Sequence, residues 1–145
     1  MLRTESQVAL QDLLEALRTA ADQYADNAEV LAESELAELC RTLALRRGQQ
    51  AQAVADELRR GGDLPGEPDA DRETLQRLGQ RLRTLVAGNE RAVVARDRLD
   101  AETALAELAA QAAGLVTAPS AQALLADIRR DCEQTRAALQ RFAAS

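Results

Sequence analysis

Residues 4–31 read TESQVALQDLLEALRTAADQYADNAEVL, and this stretch decides the fold class. Its apolar side chains recur every three or four residues, which is the period of one face of an α-helix. The stripe consists of Leu10, Leu13, Leu14, Leu17, Ala21, Tyr24, Ala28 and Leu31. Thr4 and Gln7 have the spacing of a capping box, which satisfies two backbone amides at a helix start. We therefore predict an amphipathic helix from about Thr4 to Leu31.

A second helical stripe follows after a joint of a few residues, and Ser34 stands in the position of its N-cap. Its members are Leu36, Leu39, Cys40, Leu43, Arg47, Ala51, Val54 and Leu58. Gly61-Gly62 ends the pattern, as helix ends prefer. Because the joint is so short, we expect the first two helices to form an antiparallel hairpin. The glycine-, proline- and acid-rich run 61–71 is the one clear loop.

The third helical region, residues 72–113, is too long for one helix of the bundle. At 1.5 Å per residue it would span ~60 Å, against ~40 Å for each of the first two helices. Gly88-Asn89 offers a break, so we predict a shorter helix that bears Leu75, Leu78, Leu82 and Leu85 and a longer one from about Asn89 to Ala113. A last helix is predicted after Thr117-Ala118-Pro119. Its stripe is Leu124, Leu125, Ile128, Cys132, Thr135, Leu139 and Phe142.

These elements predict an all-α protein, an antiparallel four-helix bundle that forms a single domain over residues 1–145. The shorter helix would carry the chain back along the bundle, which gives a hairpin, a long crossover and a second hairpin. Ferritin-like folds have this connectivity. Hydrophobic residues make up 46% of the chain and aromatic residues 1%, so the core must consist mainly of Leu, Val and Ala.

Composition excludes several classes of function. The net charge is −6, and no dense basic cluster offsets it, so we expect no binding to nucleic acid or to an anionic membrane surface. There is no signal-peptide pattern at the start and no run of ~20 apolar residues. With two isolated cysteines, a reducing cytoplasm is the expected compartment. The chain has no histidine, which excludes the common zinc sites and the Ser-His-Asp triad.

Carboxylates remain as the candidates for chemistry. Glu102 lies between Leu99 and Leu105 on the third bundle helix, Asp22 lies one position off the first stripe, and the last helix carries Asp131, Cys132 and Glu133. The second helix offers no acid at its middle. Each acid has a commoner role as a solvated surface carboxylate, and both Cys40 and Cys132 as small buried hydrophobes. Tyr24 is expected in the core with its hydroxyl in water at the edge. Arg47 could pair with Glu102 or Asp131, but we expect it to extend outward to solvent.

The sequence resembles a bacterial family of ferritin-like four-helix proteins whose function is unknown. The features that carry the resemblance are Leu10-x-x-Leu13-Leu14, Asp22-x-Tyr24, Arg47-x-Gln49-Gln50, Glu57-Leu58 and Gly61-Gly62-x-x-Pro65. The resemblance covers about 130 residues of the chain, and it rests on the order and spacing of these features. It implies a cytoplasmic ferritin-like bundle with inward-facing acids at a metal site.

The resemblance also implies which positions would hold metal. Relatives carry a glutamate near Asp22, a Glu-Arg-Gly-Glu run that reads Leu99-Asp100-Ala101-Glu102 here, and a His-Asp pair that reads Cys132-Glu133 here. Only Glu102 is kept unchanged. The departures fall on the inward polar positions, so the scaffold is predicted to persist and the metal site to be degenerate.

Three functions follow as hypotheses. The leading one is a non-catalytic bundle, without a cofactor, that acts as a protein-interaction or stress-related protein, with a protein partner or as a homodimer. The second is a di-metal carboxylate protein, iron-binding or an oxidoreductase, that holds iron or manganese with Asp22, Glu102, Asp131, Cys132 and Glu133. The third is a helical chaperone or adaptor that offers an amphipathic groove to a partner helix.

Overall fold

A computed structural model describes residues 3–66 and 90–144 of the chain. This part forms four α-helices and contains no strand, so the all-α prediction is confirmed for it. The helices are α1 (Glu5–Leu31), α2 (Glu35–Arg60), α3 (Glu90–Ala113) and α4 (Pro119–Ala143). All four lie within a residue or two of their predicted limits. The predicted crossover helix with its four leucines lies outside the described residues.

The helix starts are fixed by the capping residues that the sequence indicates. The Thr4 hydroxyl accepts from the Gln7 amide at 3.1 Å, and the Gln7 side chain accepts from the Thr4 amide at 2.9 Å. Ser34 caps α2 by accepting from the Ala37 amide at 3.1 Å. Each of these bonds satisfies a donor that has no partner within the helix. The predicted capping box and the predicted N-cap are therefore confirmed.

Two residues with positive φ turn the chain at the helix ends. Gly62 has a φ of 84°, which suits glycine, and its amide donates to the Arg59 carbonyl at 3.0 Å just beyond α2. Ala32 has a φ of 54° between α1 and α2, which is uncommon for a residue with a Cβ. The tight joint between the two helices requires this conformation at Ala32.

The core is built from leucine and alanine, as the composition predicts. Leu13, Leu14 and Leu17 on α1 are fully buried and pack into one cluster with Leu43, Val54, Leu105, Leu125, Ile128 and Leu139 from the other helices. Ala21 is half-buried, whereas its neighbour Ala20 is buried, so the prediction for that position is wrong by one residue. Because α1 contacts two helices, its buried face is wider than one stripe.

None of the described helices combines the length and the apolar content of a bilayer span.

The direction of each helix follows from its contacts. Helix α1 packs against α2 and α3, and α4 packs against the same two helices. Tyr24 reaches Glu102, while Asp12 and Leu108 line one groove, so α1 and α3 are antiparallel. Arg47 reaches Asp131, and Glu57 reaches Ser120, so α2 and α4 are antiparallel. Since α1 is also antiparallel to α2, helices α2 and α3 run in the same direction.

The segment that follows α2 is bonded to α1 at Gly66. The Gly66 amide donates to the Gln11 side chain at 2.9 Å, and Arg18 donates to the Gly66 carbonyl at 2.5 Å. A Cβ at position 66 would lie 2.7 Å from the Gln11 amide nitrogen, so the end of the flexible Gln11 side chain would have to shift to accommodate it. The segment therefore leaves the end of α2 alongside α1.

We expect Ser34→Ala to lower the free energy of unfolding by about 1 kcal/mol, because the Ala37 amide would lose its acceptor. The measurement is urea denaturation followed by circular dichroism. Thr42→Ala, on the exposed face of the same helix, is the matched control, and it should change stability by less than about 0.5 kcal/mol. Equal effects of the two substitutions would contradict the capping role.

Candidate functional site

A cluster of polar side chains lies in the centre of the bundle, and every helix contributes to it. We call it the polar core; its members are Tyr24 from α1, Arg47 from α2, Glu102 from α3, and Asp131 and Thr135 from α4. Tyr24, Arg47 and Glu102 are fully buried. Buried polar groups are costly unless they are bonded, so the partners of each member determine what the cluster can do.

Arg47 is the centre of the polar core. It occupies the buried stripe of α2, four residues after Leu43 and four before Ala51, so the helix directs it inward. Its guanidinium forms a two-point contact with Glu102, with Nη2 2.5 Å from Oε1 and Nε 3.3 Å from Oε2. This fork geometry matches the plane of a carboxylate.

The remaining donors of Arg47 are also used. Nη2 donates to the Thr135 hydroxyl at 3.0 Å, and Nη1 donates to the Gln50 side chain at 2.9 Å and to Asp131. A guanidinium has five N–H donors. With two bonds to Glu102 and one each to Thr135, Gln50 and Asp131, all five are satisfied. A fully bonded buried arginine avoids the penalty of unpaired burial.

Glu102 is the second centre of the cluster. Besides the two bonds from Arg47, its Oε2 accepts from the Tyr24 hydroxyl at 2.8 Å. Cys132 on α4 lies close enough for this carboxylate to raise the pKa of its thiol. One carboxylate therefore bonds α3 to both α1 and α2.

Asp131 links the polar core to the surface. Its side chain is 16% exposed, and it accepts from Arg47, from Gln50 at 3.2 Å and from Arg46 at 3.0 Å. Arg46 itself is 43% exposed. Two guanidinium groups thus face the two carboxylates, Glu102 and Asp131, so the charges in this cluster balance.

Burial and charge oppose each other in setting the pKa of Arg47, but they act in the same direction on Tyr24 and Cys132. Burial alone would lower the pKa of Arg47, but the hydrogen bonds and charges of Glu102 and Asp131 raise it above its ordinary value. Burial, and next the charge of Glu102, raise the pKa of Tyr24. The same two causes raise the pKa of Cys132 to about 12. At neutral pH, Arg47 is therefore charged, while Tyr24 and Cys132 keep their protons.

A second buried arginine lies next to the polar core. Arg98 is 4% exposed, and its guanidinium stacks over the Tyr24 ring at 5.3 Å from the centroid. Such a cation–π contact stabilises a desolvated guanidinium. Burial lowers the pKa of Arg98 below its ordinary value. Within the described part of the chain, its Nε and Nη1 atoms have no hydrogen-bond partner.

The five predicted metal ligands have different environments. Glu102 and Cys132 are buried, Asp131 and Asp22 are partly buried, and Glu133 is exposed. Glu102, Asp131 and Cys132 come together, and the Arg47 guanidinium lies between the two carboxylates. Across residues 3–66 and 90–144, no three His, Cys, Asp or Glu side chains form a group suited to a metal ion. The donor set does not fit a di-metal centre, because a fixed cation already fills the position that the two acids share.

Two predictions about individual side chains are wrong. Arg47 does not extend outward, since its side chain is 0% exposed and bonds to both candidate acids. The Tyr24 hydroxyl is not in water, because it donates to Glu102 in the interior. In both cases a hydrogen-bond partner from another helix replaces the hydrogen bonds that the side chain would otherwise make to water. The prediction that Cys40 and Cys132 are small buried residues is confirmed.

The sequence does not single out Arg98 as a member of this region, and it indicates Thr135 only as part of the buried stripe of the last helix. Both occupy buried helical positions: Arg98 precedes Glu102 by four residues, and Thr135 follows Cys132 by three. The spacing of four from Glu102 could have indicated that Arg98 points inward, since residues i and i+4 share a face.

No protein-family model, curated protein or solved structure matches this chain. The polar core is therefore interpreted from its own geometry.

We expect Arg47→Met to destabilise the protein by about 3–5 kcal/mol, because it would leave Glu102 charged and unpaired in the interior. Adding Glu102→Gln to this variant should recover part of the loss, since the buried charge would be gone. The measurement is a double-mutant cycle from urea denaturation. Arg129→Met on the exposed face of α4 is the control. Additive losses from Arg47→Met and Glu102→Gln would contradict the pairing.

We also expect stability to fall as the pH rises from about 9 towards 12. An unfolded thiol ionises near its ordinary pKa of 9.0, whereas burial raises the pKa of Cys132 to about 12 and that of Cys40 to about 12. Since the folded pKa is raised, the stabilisation is complete below pH 9 and is lost as the pH approaches 12. Each thiol should contribute a slope of about −1.4 kcal/mol per pH unit in this window.

The check on this slope is urea denaturation at several alkaline pH values in the presence of a reductant. Cys132→Ala should make the slope shallower by about 1.4 kcal/mol per pH unit, whatever the cost of the substitution at pH 7. An unchanged slope would mean that Cys132 ionises as readily in the folded protein as in the unfolded chain.

Proposed function

We propose that this protein is a non-catalytic ferritin-like bundle that acts through its surface as a protein-interaction or stress-related protein. The observation that carries the proposal is the fully buried Arg47, whose guanidinium is shared by Glu102 and Asp131. These two acids are the inward carboxylates that a metal-binding bundle would need. Here their negative charge is offset by a side chain of the protein itself.

The electrostatics favour this interpretation over the di-metal alternative. A divalent cation between Glu102 and Asp131 would have to displace a guanidinium that uses all five of its donors. It would also approach the charges of Arg46 and Arg98. Two carboxylates balanced by arginines offer a dication little net attraction. The interior also lacks histidine, the usual neutral metal ligand.

The connectivity supports the ferritin-like part of the proposal. Helices α2 and α3 run in the same direction, and a connection of residues 61–89 joins them. A hairpin, a long crossover and a second hairpin are the wiring of ferritin-like bundles. The resemblance in sequence points the same way.

Without interior chemistry, such a bundle would act by contact with a protein partner or with a second copy. Its net charge of −6 disfavours nucleic acid and anionic membranes as partners. We place the protein in the bacterial cytoplasm, because free, isolated cysteines are typical of a reducing compartment, and we propose a homodimer as the form in which two copies would meet.

The test of this proposal is the metal content of protein purified from cells grown with added iron and manganese. We expect far less than one ion per chain in the wild type and in Glu102→Ala. Glu133→Ala, which removes an exposed carboxylate of the same region, is the matched control. Near-stoichiometric iron or manganese that Glu102→Ala abolishes and Glu133→Ala leaves in place would overturn the proposal in favour of the metal-binding alternative.

A further inference from the structure

An open groove runs along the bundle between α1 and α3. It has a volume of about 390 Å³, and its α1 wall extends from Asp12 to Gln23. At 1.5 Å per residue this wall is ~17 Å long, which is about three helical turns. The groove lies on the outside of the α1–α3 contact, apart from the polar core.

Small apolar side chains line much of the groove, together with the polar side chains of Thr19 and Gln23 on α1. Ala16 and Ala20 come from α1, and Ala101, Leu105 and Leu108 come from α3. Ala104 is exposed at its edge. Since alanine side chains are short, the backbone of another helix could approach both walls closely.

The charged residues that line the groove are acidic. Within the part of the chain that the structure describes, they are Asp12 and Glu15, and both are exposed. On α3, Asp100 and Glu107 are exposed and lie on the same stripe as Ala104, at spacings of four and three. Arg96 continues this stripe one turn earlier, so carboxylates outnumber the basic groups beside the groove and the potential along it is negative on balance.

From this complementarity we propose that the α1–α3 groove binds an amphipathic helix of a partner protein, one that presents an apolar stripe flanked by arginine or lysine. The apolar stripe would cover Ala16, Ala104 and Leu108, and the basic flanks would meet the carboxylates on either wall. Binding of this type is helix-in-groove recognition, in which spaced apolar anchors supply affinity and rim charges supply orientation. The inference rests on the proposed function as an interaction protein and names its partner class.

The first experiment measures binding of a stapled, dye-labelled helical peptide of about three turns by fluorescence anisotropy. The peptide carries leucines in one stripe and arginines on both flanks. A scrambled peptide of identical composition controls for attraction to a protein of net charge −6. We expect the striped peptide to bind about tenfold or more tightly than the scrambled one. Equal binding of the two peptides would overturn the proposal.

A pair of matched variants locates the site. Ala104→Arg puts bulk and a positive charge at the groove edge, and it should weaken binding about tenfold or more. Ala110→Arg makes the same change on another exposed position of α3, outside the groove, and binding should be unchanged. If both variants weaken binding equally, the peptide binds elsewhere and the proposal fails.

A labelling experiment tests whether the groove is open to a partner. The native thiols are buried, so Ala104→Cys would supply the reactive one, with Ala110→Cys as the reference. We expect the two engineered thiols to react with a maleimide at similar rates. Protection of Ala104→Cys at every concentration would mean that the chain itself covers the groove, and protection lost on dilution would mean that a second copy does. Either result would overturn the partner-helix proposal, while the metal-content result for Glu102 would stand independently.

Discussion

The contact of Arg47 with Glu102 and Asp131 is the interaction on which the interior of the bundle depends. A guanidinium in a leucine core is stabilised only if its donors are satisfied, and here all five are. The acceptors come from α3 and α4, and from Gln50 on α2 itself. Glu102 in turn bonds to Tyr24 on α1. The relative positions of the four helices are thus tied to one set of hydrogen bonds, since a shift of any helix would break at least one of these buried bonds.

The same contact decides how the interior can be used. Burial, with the charge of Glu102, raises the pKa of Cys132 to about 12 and also raises the pKa of Tyr24, so the groups next to Arg47 keep their protons at neutral pH. Neither group is poised as a nucleophile or a base under those conditions. Since the interior serves packing and helix register, we expect the protein to act through its surface. There the α1–α3 groove combines small apolar side chains with acidic residues.

The sequence predicts the helices well because their signals are local. Thr4, Ser34 and Pro119 specify helix starts within a few residues, and the leucine stripes specify which faces are buried. The environment of Arg47 could not be predicted in this way, because Glu102 lies 55 residues away and Thr135 lies 88 residues away. An arginine within an apolar stripe has two solutions, extension to water or a buried partner, and only the tertiary packing selects between them. Tertiary packing also decides the environments of Asp22 and Glu133. Unlike Glu102, neither of them bonds to the Arg47 guanidinium.

The most direct test of this account is nuclear magnetic resonance of the arginine side chains at neutral pH, with Arg47→Met used to assign the Arg47 signals. A guanidinium bonded through all five donors should give separate Nη signals with slow rotation and slow proton exchange, and Glu102→Gln should shift them. Exposed side chains such as Arg129 should give averaged, rapidly exchanging signals. If the Arg47 signals were averaged in the same way, the guanidinium would be in water and the polar core described above would not exist.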